Sequence, residues 1–441
     1  MKKKKSITGQ KLWGKAKKLI PGGNQLLSKR AEMFLPDQWP AYYSKAKGVY
    51  VWDLDGNKYL DMSIMGIGNC LLGYGDKDVD KAVKKAIDIG VMATLNAPEE
   101  VELAKLLLKL HPWAEMVRYA RTGGEAMAIA VRIARASTGR DKIAFCGYHG
   151  WSDWYLSANL ADDKTLDGHL LPGLEPRGVP RGLKGTLIPF HFNDVKELNR
   201  AIETAGGDLA AIVLEPVKGK APTLDFIKAV RSYADKTGAV LIADEITAGF
   251  KFAKGGSHLA YNLNPDIAVF SKAIANGYAM AAIIGKKRVM EAAQGTFISS
   301  TNWTERIGPV AALSTIKKLI RTDTPGRLAK IGQSVKQVWE KASKKHGVPI
   351  VIGGSDAIAS FSFLGADALV LQTLFTQEML AQSILAKNLF FSTLAHNSSH
   401  VKRYATAIDR VFSTLKDAID TGTTHKRLKG PVAHTGFVRL N

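Results

Sequence analysis

The 441-residue chain is poor in cysteine, has no long apolar run and carries too few acids to balance its bases. Its two cysteines, Cys70 and Cys146, are too few and too isolated for a disulfide framework or a cysteine metal site, and the expected compartment is a reducing cytoplasm. No stretch reaches the roughly 18 uninterrupted apolar residues of a membrane helix, so no membrane association is expected. The start, Met1 to Lys5, is basic like the opening of a secretory leader. Ser6 to Gly22 is interrupted by Gly9, Gln10, Lys11, Gly14, Lys15, Lys17 and Lys18, so no apolar segment follows it.

Forty acids stand against 61 Lys and Arg, a formal net charge of +21. A field of that sign attracts anions, whether nucleic acid, a membrane surface or a phosphorylated or carboxylated small molecule. The lysines are spread along the chain (Lys2 to Lys5, Lys84 and Lys85, Lys286 and Lys287, Lys344 and Lys345) and are rarely interleaved with aromatics that could stack bases. A solvated basic surface is therefore favoured over a nucleic-acid platform.

The length exceeds what one core usually serves, so two packed domains are expected. Gly48 to Asp61 reads as a hairpin around Asp55-Gly56-Asn57. From Pro98 an amphipathic helix to Leu110 begins an alternation of helices with short apolar runs at Lys142 to Cys146, Thr186 to Phe190, Ala210 to Leu214, Ala239 to Ala243, Ile267 to Phe270 and Ala281 to Ile284. Unbroken apolar strands joined by helical crossovers predict a largely parallel sheet covered on both faces. After about residue 310 helices dominate (Pro309 to Ile320, Arg327 to Lys345, Phe375 to Ala386, Val401 to Ile419), with β stretches at Pro349 to Ile352 and Ile358 to Leu364. The division expected is residues 1–65 joining the small domain, 66–310 as the large domain and 311–441 as the C-terminal small domain.

In open α/β sheets ligands bind beyond the carboxyl ends of the strands. Four such ends carry polar groups. Asp244 closes one apolar run and needs a partner, because an unpaired buried charge is costly; it could cap the next helix or stabilise a protonated ring nitrogen. Lys272 closes another; it could snorkel past the strand end or serve as a desolvated Schiff-base amine. Thr122-Gly123-Gly124 opens a helix, where exposed N–H groups and the absence of Cβ atoms suit a phosphate. Gly147-Tyr148-His149-Gly150 presents two aromatic residues that could stack on a flat cofactor or simply pack a loop. Taken in order, a phosphate loop, an aromatic stacker, an acid and a lysine 28 positions after it are the parts that bind pyridoxal 5'-phosphate (PLP).

These motifs, with Ile20-Pro-Gly-Gly23, Trp52 to Asn57, Leu214-Glu215-Pro216-Val217 and Asp244 to Phe250, make the chain resemble the class III aminotransferases of PLP fold type I, most closely the glutamate-1-semialdehyde aminomutase-like branch. The resemblance covers nearly the whole chain. It implies an α/β fold: a large domain with a mostly parallel, seven-stranded-type sheet, and a smaller α+β domain built from both termini. It further implies that Lys272 holds PLP as a Schiff base and shuttles protons, and that Asp244 faces the pyridine nitrogen. Ile246 would pack under the ring with Tyr148 on its other side and His149 as a further cofactor-binding candidate, while Thr122, Gly123 and Gly124 bind the phosphate and Glu215 lies on the substrate side. Family members are homodimers with shared active sites, in which a neighbouring subunit's threonine reaches the phosphate. Thr301 and Thr304 compete for that role; Thr301, before Asn302-Trp303, is preferred, although Thr304 keeps the family's spacing to Pro309.

The resemblance implies transamination between an amino donor and a carbonyl acceptor. The alternatives on the same site are an aminomutase or an amino-acid epimerase, and from another class a basic nucleic-acid-binding protein. Arg30 is the candidate for a substrate carboxylate, with spacing altered from the aminomutase pattern. Lys218 to Pro222 lacks the usual Asn-Met-Gly, and the loop between Lys272 and Thr301 is short. No arginine stands in Phe390 to His396, where many family members bind an α-carboxylate. Arg439, near the end, could fold back towards a site or belong to a free tail.

Overall fold

The computed structural model describes residues 7–162, 166, 169 and 173–436; Lys2 to Lys5 and Arg439 lie outside the described residues. Two compact units form, one from Met1–Asp76 with Gly326–Asn441 and the other from Lys77–Pro325.

In the first unit, α1 (Ile7–Leu19) precedes a meander of β1 (Tyr43–Lys47), β2 (Tyr50–Asp53) and β3 (Lys58–Asp61). The Asp-Gly-Asn turn closes on Asp53, whose carboxylate accepts from Asn57 N at 2.8 Å and from Tyr59 Oη at 3.0 Å, so the hairpin is fixed by a buried acid. Its C-terminal part packs two long amphipathic helices, Thr324–His346 and Ser398–Asp420, around Trp339 and Tyr404, which are fully buried and joined by a 2.8 Å hydrogen bond.

The second unit carries the seven-stranded sheet. Its members are β4 (Met116–Ala120), β5 (Lys142–Cys146), β6 (Leu187–Pro189), β7 (Leu209–Leu214), β8 (Val240–Asp244), β9 (Ile267–Phe270) and β10 (Ala281–Gly285). They lie in the order β4-β10-β9-β8-β7-β5-β6, with β10 alone antiparallel to its neighbours. Every residue of β7, β8 and β9 is buried, as strands covered on both faces must be. Each Leu, Ile or Val so placed contributes about 1.5–3 kcal/mol of burial free energy. Helices α2 (Lys77–Asp88), α3 (Glu99–Leu110) and α4 (Gly123–Thr138) belong to this unit, and the helix Ile307–Arg321 packs on α2 and α3, which keeps it there.

Strand β4 and one helix of the other unit depart from the sequence expectation. Strand β4 was not expected, because Arg118 and Tyr119 break its apolar run; it forms as the edge partner of β10, where one side needs no second strand. The helix expected at Phe375 to Ala386 instead spans Ala368–Ala381. Ser383 takes a left-handed φ of +58°, and Ile384–Leu385 leaves the helix to pair in parallel with β3. After β11 (Ile350–Gly354) and β12 (Ile358–Phe363), that segment is β13, and β14 (Leu389–Phe391) completes the three-stranded sheet β11-β12-β14.

Candidate active site

The carboxyl ends of β4, β5, β7, β8 and β9 point the same way, and the loops leaving them build a cavity. Gly123, Tyr148, Asp244, Ile246, Thr247 and Lys272 are among its walls.

Asp244 ends β8 and is 3% exposed, so its charge needs partners. One oxygen faces His149 Nδ1 at 2.8 Å and the other accepts the Ile246 N–H at 3.0 Å. A structural role here leaves room for a functional one. The turn after β8 uses one lone pair of Oδ1, and a carboxylate has about four acceptor positions in all. His149 is buried: its Nε2 lies 3.1 Å from Cys146 O, and its ring stacks on Trp154 with centroids 6.2 Å apart. It backs Asp244 and also lines the cavity, where Tyr148 is the more open at 43% exposure.

Lys272 follows β9 directly. Its φ of +46° lies in the left-handed region that a residue with a side chain rarely occupies, at a cost of order 1–3 kcal/mol. Ser271 anchors that bend through its hydroxyl, which donates to Met280 O at 3.0 Å. Lys272 Nζ donates to Thr247 Oγ1 at 2.8 Å. Burial pushes its amine below the ordinary lysine range, against the pull of Asp244 and then Glu215. Glu215 itself is raised, first by burial and then by the charge of Asp244, and it accepts the Tyr148 N–H at 3.1 Å.

Opposite these groups, α4 starts. Glu125 reaches back to accept Arg121 N at 2.9 Å and Thr122 N at 3.2 Å, tying the preceding turn. The first N–H groups of a helix have no partner within it and attract anions. Space for side chains is absent: a Cβ on Gly123 would lie 2.9 Å from Ile246 Cδ1, and one on Gly150 only 2.8 Å from Gly124 Cα. Gly150 also has φ +104°, so Gly150→Ala must shift the backbone that frames the helix N-terminus. We expect that variant to fold but to hold PLP at least tenfold more weakly, read by equilibrium titration of cofactor into the apoprotein; unchanged affinity would dissociate this loop from the phosphate.

The remaining candidates are dispersed. Thr122 lines an adjoining groove with Trp151 and Trp303. Thr301 begins a short exposed turn, with Thr304 Oγ1 donating to its carbonyl at 2.9 Å, and neither threonine is among the residues lining the cavity. Arg30 belongs to the other unit, where its guanidinium crowds Gly22. Sequence reasoning assigned no role to Thr247, Ser271, Trp151 or Lys251. Thr247 and Lys251 stand within the stretch that follows Asp244, but only the fold brings Thr247 to the lysine 25 positions later. Among the described residues no group of His, Cys, Asp or Glu could hold a metal ion.

The residues present fit PLP. A helix N-terminus stripped of Cβ atoms suits its phosphate, a buried carboxylate its ring nitrogen and a desolvated amine its aldehyde. Residues 35–388 match the model of the family described as aminotransferase class-III, and the chain belongs to that family. It is a PLP-dependent aminotransferase of fold type I. Over 402 residues it is 32% identical to a 3-aminobutyryl-CoA aminotransferase of Cloacimonas acidaminovorans (strain Evry), covering 89% of this chain and 92% of that one. With a glutamate-1-semialdehyde 2,1-aminomutase of Francisella philomiragia subsp. philomiragia it shares 33% identity, over 75% of this chain and 76% of the other. Among solved structures, the FumI protein of Sphingopyxis sp. MTA144 in its PLP internal aldimine form superposes with a TM-score of 0.84 at 25% identity, covering 94% of this chain and 98% of that one.

Proposed function

We propose that Lys272 is the cofactor lysine and proton shuttle of this transaminase, and that Asp244 is the partner of the ring nitrogen. PLP, when bound, supplies an electron sink for the bond broken next to the amino nitrogen. The chain's part is to orient and to move protons. Asp244 keeps a negative charge at the ring nitrogen; Ile246 and Tyr148 flank the ring; the N-terminus of α4, with Thr122, Gly123 and Gly124, holds the phosphate. The freed Lys272 amine takes the proton from the donor's carbon and returns it to the cofactor side. Glu215, with its acidity weakened, is available on the substrate side as a hydrogen-bond donor. The observation that carries the reading is Lys272 in a strained bend, lining one cavity with buried Asp244.

The working enzyme is a cytoplasmic homodimer in which Thr301 of each subunit completes the other's phosphate site. No helix among the described residues is long and apolar enough to cross a membrane. For the substrate, Phe390 to Thr393 and His396 are buried and contain no Lys or Arg, so that segment offers no cation for an α-carboxylate. A donor whose amine is not beside a free carboxylate follows, with a β-amino acyl thioester first, the type of compound named for the Cloacimonas relative. The basic surface suits the phosphates of such a carrier.

The test adds amino donors singly to the loaded enzyme and follows conversion of bound cofactor to pyridoxamine phosphate. A β-amino acyl thioester is expected to convert it faster than α-amino acids, with the keto product released and turnover requiring a second, carbonyl substrate. Turnover without a carbonyl substrate would instead establish a mutase or an epimerase. Preference for α-amino acids would overturn the substrate class.

A further inference from the structure

Lys251 is 2% exposed, yet among the described residues it forms no ion pair with a carboxylate. A buried ammonium is ordinarily paired or neutralised. Its Nζ donates to the carbonyl of Thr247 at 2.6 Å. The same threonine accepts Lys272 Nζ on its hydroxyl at 2.8 Å. One residue is thus gripped by two amines, one at the backbone and one at the side chain.

We infer that Lys251 is a positioning residue for Lys272: the two amines, joined through Thr247, act as one pair that carries a single proton. When Lys272 must react as a free amine, its proton is retained by the pair, Lys272–NH3+ and Lys251–NH2 becoming Lys272–NH2 and Lys251–NH3+. No proton need be expelled from the cavity. This rests on the reading of Lys272 as the cofactor lysine.

The charged groups around the pair support it. Lys272 faces Asp244 and Glu215, which favour its charge. Lys251 is brought down to about 7 by burial first and by the charge of Lys272 second, with Glu245 opposing. Glu245 is occupied elsewhere: it accepts Ser257 N at 3.0 Å and His258 N at 2.6 Å and lies 2.7 Å from His258 Nδ1. Two ammonium groups sharing a desolvated space cannot both stay charged near neutrality, and such sites titrate as a pair.

A linkage consequence follows with a definite sign. The folded chain gives up the Lys251 proton near 7, whereas the unfolded chain keeps it up to about 10.5. The unfolded state therefore binds more protons between these values, and stability rises with pH across that window. Below 7 the folded chain carries the charge too, and the rise is absent.

The experiment measures the rate at which added PLP attaches to the apoprotein as a function of pH, because attachment requires the free Lys272 amine. Lys251→Met removes the charge and Lys251→Arg makes it permanent. The attachment midpoint should lie ~1 pH unit above wild type in Lys251→Met, the size of effect a nearby like charge exerts, and below wild type in Lys251→Arg. A purely structural lysine would move both variants in the same direction. In parallel, thermal unfolding of the apoproteins should show the rise in stability above pH 7 in wild type and lose part of it in Lys251→Met, a neutral side chain of similar length. Midpoints that coincide in wild type and Lys251→Met, or that shift the same way in both variants, would overturn the inference. Failure of wild-type PLP to attach at Lys272, located by borohydride reduction and peptide mapping, would overturn the underlying reading instead.

Discussion

Lys272→Ala is expected to abolish covalent attachment of PLP and to lower turnover by on the order of 10⁴-fold, the upper range of what a positioned acid-base group contributes. The geometry explains why no other amine substitutes. Lys251 lies close enough to feel the charge of Lys272, but it is buried and committed to the Thr247 carbonyl. Folding should survive, because the variant removes a desolvated amine and leaves the bend anchored by Ser271. Lys272→Arg keeps a positive charge but offers no nucleophilic amine, so it should bind PLP without attaching it. The measurement is borohydride reduction followed by peptide mapping, with turnover in the same preparations. Wild-type turnover in Lys272→Ala would remove the lysine from the mechanism.

Much of this site was legible in the sequence because its parts sit directly after buried strands. Val240 to Asp244 and Ile267 to Phe270 are apolar runs, and in a parallel sheet the residues beyond such runs share one edge. Asp244 and Lys272 could thus be paired as candidates before any coordinates. Their partners were harder to read. His149 could be read as an aromatic beside the ring, but its contact with Asp244 depends on the packing of Trp154 and on the Cys146 carbonyl, which no local pattern records. Thr247 is an ordinary residue in its own turn and gains meaning only when the loop returns it to Lys272. In the other unit, β13 was misread as helix because Ile384 and Leu385 are apolar in either structure, and the choice is made by pairing with β3.

Asp244→Asn should separate attachment from catalysis. The side chains are nearly isosteric, so the Ile246 N–H retains an acceptor and the turn after β8 should hold. What is lost is the negative charge. Asp244 raises the pKa of Lys272, so without it the amine becomes free at lower pH, and the midpoint for PLP attachment should move down. The same charge raises Glu215, whose acidity should return towards that of an ordinary glutamate. The alkaline limb of any step that needs protonated Glu215 then moves to lower pH as well. Turnover should nevertheless fall by on the order of 10²–10³-fold, because an amide cannot keep the ring nitrogen protonated and a preorganised charge at a developing centre is worth that much. Attachment kinetics against pH, measured beside single-turnover conversion to pyridoxamine phosphate, distinguish the two effects. If conversion stayed within tenfold of wild type while attachment shifted, Asp244 would tune the lysine and not the ring.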